Sequence, residues 1–413
     1  MDESLKTSLR PVRRKLKAPA SGVTAARGFL ASGLHCGIRR DRADLALVIS
    51  ERPASAAAVF TTNRVQAAPI LLSRENLQVS GGHARAIVVN SGNANACTGE
   101  PGLLAARRTV EETARLLEVP PEQILVASTG VIGVPLPVSR IVTALPRAVS
   151  SLSVAGGRSA AEAILTTDTR TKLSARTVRT SCGTYVVGGM AKGSGMIHPN
   201  LATTLAFVTT DASVAPAILK RSLDRAVEVS FNRISVDGDT STNDMVAVLA
   251  GGGSGIAVCE GGAPLFEEAL TGVLTDLAKQ VARDGEGATK LVTLQVVGAA
   301  CDADALRVAR AVAGSLLVKT AIHGADANWG RIVAAAGSAG VDVAAEGMRI
   351  SFDHVEVLSP GCVSSFSEEE ARRVLEKEEI TVRLELGDGP GRSVLWTCDL
   401  GHGYIDINAS YRS

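Results

Sequence analysis

The chain has 413 residues, 46% of them hydrophobic but only 3% aromatic, so its core must be built from Val, Ala, Leu and Ile. A formal net charge of +1 gives no reason to expect nucleic acid or an acidic membrane as partner, and no run approaches the ~18–20 apolar residues of a membrane span. The seven scattered cysteines lack a Cys-x-x-Cys pair and the six histidines lack ligand spacing, which argues against disulfides and metal and for reduced thiols in the cytoplasm.

Lys6, Arg10, Arg13, Arg14, Lys15 and Lys17 make residues 1–21 a basic leader, expected to be disordered. It lacks the apolar core of a secretory signal, and Asp2 and Glu3 speak against a transit peptide. Asp44 to Ser50 and Ala84 to Asn90 are apolar runs that read as buried strands. Pro101 to Val119 places Leu103, Ala106, Val110, Ala114 and Leu117 on one helical face. Ile124 to Ala127 reads as a strand delivering Ser128-Thr129-Gly130 to a loop. Gly251-Gly252-Gly253-Ser254-Gly255 reads as a flexible connection, since it lacks the Gly-Lys-Ser/Thr ending of a phosphate cradle. Further on, Leu291 to Ala299 is strand-like, and Ala303 to Val318 is helical. Ser367 to Glu379 is helical too, opened by a capping box of Ser367 and Glu370. Ile380 to Leu386 and Ser393 to Cys398 flank a Gly/Asp/Pro loop that predicts a hairpin. The sum is an α/β (α+β) pattern with much antiparallel sheet.

The middle of the chain carries the most chemistry. Gly188-Gly189-Met190-Ala191-Lys192-Gly193-Ser194-Gly195 leads through Met196 and His198 to an Ala202-Thr203 bond and the β-prone run Leu205 to Thr210. By spacing alone this is first of all a glycine-rich loop before a Thr-rich strand. It also fits a maturation site, where Thr203 attacks its own preceding carbonyl and becomes a new N-terminus. Its hydroxyl then has a free amine beside it as base, with a pKa near ~7.7–8.0 suited to neutral pH.

The words around this bond resemble the ornithine acetyltransferase (glutamate N-acetyltransferase, ArgJ) family. They include Val59-Phe60-Thr61-Thr62-Asn63, Asn90-Ser91-Gly92-Asn93-Ala94-Asn95, Ser128-Thr129-Gly130-Val131-Ile132-Gly133 and Ser230 to Asp244. Asp284-Gly285-Glu286-Gly287-Ala288-Thr289-Lys290, Asn328-Trp329-Gly330-Arg331-Ile332 and the tail Ile407 to Ser413 complete the series in family order.

The resemblance implies an ArgJ/DmpA-like layered α-β-β-α sandwich of the self-cleaved N-terminal-nucleophile type. Residues 22–202 and 203–413 would be two fragments building one catalytic body, paired into a heterotetramer. It implies cleavage between Ala202 and Thr203, Thr203 as nucleophile, and Thr129 (hydroxyl) and Gly130 (backbone N–H) as oxyanion donors. Substrate contacts fall on Thr166, with Thr167 its neighbour in doubt, and on Lys192, Thr203, Glu286, Asn408 and Ser413. Lys192 suits an α-carboxylate and Glu286 the amine of ornithine. The implied reaction moves an acetyl group from N2-acetylornithine to glutamate, without cofactor or metal; acetyl-CoA is left open as a second donor.

Departures are modest. Thr204 stands where the family commonly has Met, on the opposite strand face from Thr203. Leu201 replaces a frequent Met, and Ala325 and Ala327 replace frequent Arg and Pro. His198 is nearest the cut but reads as a turn residue beside Pro199. Two rivals remain at this point: an amidase or aminopeptidase of related fold, where water resolves the acyl-enzyme, and a binding protein that has lost processing.

Overall fold

A computed structural model describes residues 22–198 and 204–410, so the expected leader, the Ala202-Thr203 bond and Ser413 lie outside the described residues. The first half runs β1 (Phe29–Leu34), β2 (Leu45–Phe60), α1 (Ala68–Val79), β3 (His83–Asn93), α2 (Gly99–Leu117) and β4 (Ile124–Val131). It continues through α3 (Val138–Ser150), α4 (Gly157–Ala163), β5 (Lys172–Thr180) and β6 (Gly183–Lys192). The second half opens with β7 (Leu205–Thr210), β8 (Ser213–Val214), α5 (Pro216–Glu228), β9 (Met245–Ala250), β10 (Ala257–Val258) and α6 (Ala263–Arg283). After β11 (Leu291–Gly298) come α7 (Asp302–Gly314), α8 (Leu316–His323), α9 (Trp329–Gly337), β12 (Arg349–Phe352), β13 (Val355–Ser359) and β14 (Cys362–Val363). The chain ends with α10 (Glu368–Leu375), β15 (Glu379–Glu385), β16 (Gly389–Cys398) and α11 (His402–Ser410).

Eight strands form the main mixed sheet, in the order β4-β3-β2-β9-β7-β6-β5, with β1 beside β2. Strands β7 and β9 are buried along their whole length, as their Leu, Val, Ala and Phe content requires of central strands. Ala206, Val208, Val246 and Val248 pack against α5 and α6, while Phe207, Met245, Ala247 and Leu249 belong to a second core reached by α4. Helices α1, α2 and α3 share a core with β2, β3 and β4. A six-stranded sheet, β14-β13-β12-β15-β11-β16, packs Val292, Leu294 and Val296 on α7 and meets α6 through Leu291 and Trp396. The chain has the expected layered α/β sandwich. Among the described residues, no helix is long and apolar enough to cross a membrane.

Several sequence expectations are corrected in detail. The first buried strand runs on to Phe60 because β2 serves two partners. Leu45 to Ile49 pair with β3 and Ser55 to Phe60 with β9, and the register shifts where Pro53 has no N–H to give. The helix expected at 303–318 is two helices: Gly314 ends α7, and the Ser315 hydroxyl accepts from Val318 N–H to cap α8. Only half of the capping box forms. Ser367 accepts from Glu370 N–H, but the Glu370 carboxylate turns to His354 instead, and the helix stops at Leu375. No hairpin joins β15 to β16, because β11 lies between them, parallel to the first and antiparallel to the second. The connection crosses the end of β11, where a Cβ on Gly298 would sit 2.0 Å from the Gly387 carbonyl oxygen. The glycine cluster at 251–255 is pinned rather than loose, with Gly251, Gly252 and Ser254 N–H bonded to the carbonyls of Thr210, Ala212 and Asp211.

Candidate active site

Strand β4 carries the first two site residues further than its sequence suggests. Thr129 and Gly130 belong to the strand, not to a loop after it, and lie opposite Ser91 and Gly92 of β3 in a parallel ladder. The ladder persists because Ser128 Oγ donates to Asn90 Oδ1 and because two glycines face each other. Gly130 has φ +131°, and a Cβ there would lie 2.4 Å from the backbone of Gly92, so no other residue fits.

Lys192, the last residue of β6, is 3% exposed. Its ammonium donates to Thr166 Oγ1 at 2.7 Å and reaches Thr129 Oγ1 at 3.4 Å. Burial pushes the Lys192 pKa down, opposed by Asp168 nearby. Asp168 accepts from the backbone N–H of Thr166 (3.0 Å) and of Gly193 (2.7 Å). Burial works against its charge, but Lys192 and Lys172 outweigh burial and hold its carboxyl well below the usual range. Thr167 lines the same cleft, but its hydroxyl bonds Ser194 Oγ at 2.7 Å rather than Lys192.

Glu286 follows the C-terminus of α6. Its N–H donates to the Ser194 carbonyl (2.8 Å), and its carboxylate accepts from Asn408 Nδ2 of α11 (2.7 Å). Gly195 passes so near that a Cβ would lie 2.4 Å from Glu286 Oε2. A cleft is lined by Thr129, Gly130, Thr166, Lys192, Glu286 and Asn408 among others. The described residues therefore bring six expected site residues to one place. Ala202, Thr203 and Ser413 lie outside them.

The approach to the junction is under local strain. Met196 adopts φ +57°, which costs a non-glycine residue on the order of 1 kcal/mol. Asp237 holds it there by accepting from the N–H groups of Met196 (2.5 Å) and Ile197 (2.8 Å). His198 is half-buried, with no partner for Nδ1 among the described residues, and burial lowers its pKa. On the other side of the junction, Thr204 N–H donates to Asp244 Oδ1 at 2.6 Å. Burial drives the Asp244 pKa well up, against the pull of that bond and of Lys192.

Sequence reasoning missed Asp168, Lys172, Asp237, Asn243, Asp244 and Asp284. Three of these lie inside the Ser230–Asp244 word, where Asn243 Nδ2 ties the Ala94 and Ser128 carbonyls together. A carboxylate in a loop gives no sign of burial until its partners, distant in sequence, are known. Among the described residues no group of three or more His, Cys, Asp or Glu could hold a metal ion.

A family model described as the ArgJ family matches residues 30–413. The arginine biosynthesis bifunctional protein ArgJ of Chlorobaculum tepidum is 52% identical over 388 residues, covering 94% of this chain and 96% of that protein. The protein of the same name from Geobacter sulfurreducens is 49% identical over 393 residues, covering 94% and 99%. A crystal structure of the bifunctional ArgJ protein from Bacillus halodurans is 46% identical, with a TM-score of 0.48 over 50% of this chain and 98% of that one. With matches spanning nearly its whole length, the chain belongs to the ArgJ family.

Proposed function

We propose that this enzyme moves an acetyl group from N2-acetylornithine to glutamate, in arginine biosynthesis, through an acetyl ester on Thr203. The observation that carries the reading is the cleft itself: a buried cation, Lys192, beside Thr166 and Thr129, with Glu286 on the same cavity. That is the complement of an amino acid bearing a carboxylate at one end and an amine at the other.

The precursor cuts itself between Ala202 and Thr203, into fragments 22–202 (behind the leader) and 203–413. The freed α-amine of Thr203 takes the proton from Oγ as Oγ attacks the acetyl carbonyl. The developing oxyanion is met by the Thr129 hydroxyl and Gly130 N–H. Collapse breaks the amide, ornithine leaves with the proton from the α-ammonium, and the acetyl ester remains. The glutamate amine then attacks that ester, and Thr203 recovers its proton as acetylglutamate departs. Lys192 and Thr166 hold the α-carboxylate, while Glu286, Asn408 and Ser413 hold the side chain. Acetyl-CoA is a second donor in this reading, in keeping with the word bifunctional in the relatives' names. The fragments assemble as a heterotetramer of two each in the cytoplasm.

The test is the product. Purified protein given acetylornithine and glutamate should accumulate acetylglutamate and ornithine in equal amounts. Acetate in place of acetylglutamate would mean that water resolves the ester, the hydrolase alternative.

A further inference from the structure

Between Lys192 and Glu286 lies a buried chain of charges that the proposed reaction does not use. Lys172, the first residue of β5, is 1% exposed. Its ammonium donates to Asp168 Oδ1 (2.7 Å), Asp284 Oδ2 (2.5 Å) and the Arg170 carbonyl (3.2 Å), which uses all three of its protons. Asp168 also lies 3.8 Å from the Lys192 ammonium. Asp284 caps the end of α6, two residues before Glu286, and accepts from Thr169 N–H and hydroxyl and from Arg170 N–H. The register of α6 on β5 is set by Gln280, which bonds both Leu173 N–H and its carbonyl. The order is thus cation, anion, cation, anion, from the lysine of the cleft to the turn that carries its glutamate. Residues 168–192 precede the Ala202-Thr203 bond and residues 284–286 follow it.

We propose that Asp168, Lys172 and Asp284 are positioning residues that fix the separation of Lys192 and Glu286, and so select an acetylated amino acid whose carboxylate and side-chain amine span that gap. This rests on the reading of Lys192 and Glu286 as the groups that hold the two ends of acetylornithine. The Lys192 end is tied directly, since Asp168 grips Gly193 and Thr166 around it; the Glu286 end is tied through the backbone, two residues after Asp284, which grips the Thr169–Arg170 turn. A buried charge keeps its place only while its partner does, so the chain acts as a rod of defined length.

The experiment compares kcat/KM for N2-acetylornithine with that for N2-acetylnorvaline, the same skeleton without the side-chain amine, with glutamate as acceptor. Lys172→Met/Asp284→Asn removes one cation and one anion together, which keeps the buried charge balanced. We expect that pair to mature normally and to lose at least tenfold of the preference for acetylornithine, mainly through its KM. Lys172→Arg and Asp284→Glu, which retain charge but alter length, should each lower the preference several-fold with kcat retained; they decide the matter if the double variant does not fold. Matured variants with the wild-type preference would overturn the positioning role. A wild-type enzyme that itself shows no preference would overturn the assignment of Glu286 on which the role rests.

Discussion

The Thr129 hydroxyl lies 3.4 Å from the Lys192 ammonium and lines the cleft, where we propose that it serves as an oxyanion donor. Thr129→Ala should lower kcat about 10²–10³-fold, the usual effect of removing one such donor, with little change in KM. Thr129→Ser keeps the hydroxyl and should recover most of the rate; steady-state kinetics with acetylornithine and glutamate reads both. Asp244 makes a different prediction, about stability. Its carboxyl is buried beside Thr204 with a raised pKa, so the proton binds the folded chain more tightly than the unfolded one. The stability it contributes is complete below the ordinary carboxylate value near ~3.9 and is lost as pH rises through the raised one. Asn mimics the protonated form at every pH. In a Thr203→Ala background, which keeps the chain uncut, Asp244→Asn should gain Tm relative to Asp244 as pH rises through that window. A gap that stays constant with pH would contradict the raised pKa.

Among elements, α11 adds no buried residue to the core yet reaches the cleft through Asn408. None of its residues is buried. It is held by polar contacts, Asn408 to Glu286 and Tyr404 to Asp237, and by the close approach of Gly287 to the 403–404 backbone. Truncation after Gly401 should therefore move Tm by no more than a few degrees, as for changes away from the core. The same truncation should cost at least about tenfold in kcat/KM for acetylornithine, from the loss of Asn408. A large fall in Tm would show that the helix is part of the fold rather than an attachment to it. Only the role of Asn408 was legible in the sequence, through resemblance, since chain ends ordinarily fray; the helix that carries it was not expected. Elements with strong local signals were legible directly: the apolar runs of β3, β4 and β11 and the amphipathic α2 stand where their residues put them. What failed was decided at long range. Glu379 to Glu385 and Gly389 to Cys398 look like a hairpin because the turn is local, whereas β11 between them is about eighty residues away in sequence. The site divides in the same way. Thr129, Lys192 and Glu286 lie in recognisable words, but the Asp168–Lys172–Asp284 chain exists only once β5 and α6 are packed together.

The two halves of the molecule are interleaved within one sheet. Strands β7 and β9 come from the second half yet lie between β2 and β6 of the first. Lys192 pairs with Leu205 and Val187 with Thr210 across the junction, and Ser55 to Phe60 pair with Met245 to Ala250. A cut at Ala202-Thr203 leaves those ladders intact, as it leaves the core that α5 and α6 share with β6, β7 and β9. Separating the fragments would strip β7 of its partner β6 and β9 of its partner β2, one edge of each fully buried strand, where each unpaired buried group costs ~1–3 kcal/mol. The purified protein should accordingly run as two fragments of nearly equal size on a denaturing gel, the second beginning Thr203-Thr204-Leu205 by Edman sequencing. Under native conditions the two should co-elute at every dilution tested, and they should part only in denaturant, in the same transition that unfolds the sheet. Thr203→Ala should leave one uncut, inactive chain that elutes at the same volume. A start at Thr204 would move the nucleophile by one residue, and fragments that separate without unfolding would mean that the shared sheet does not hold them.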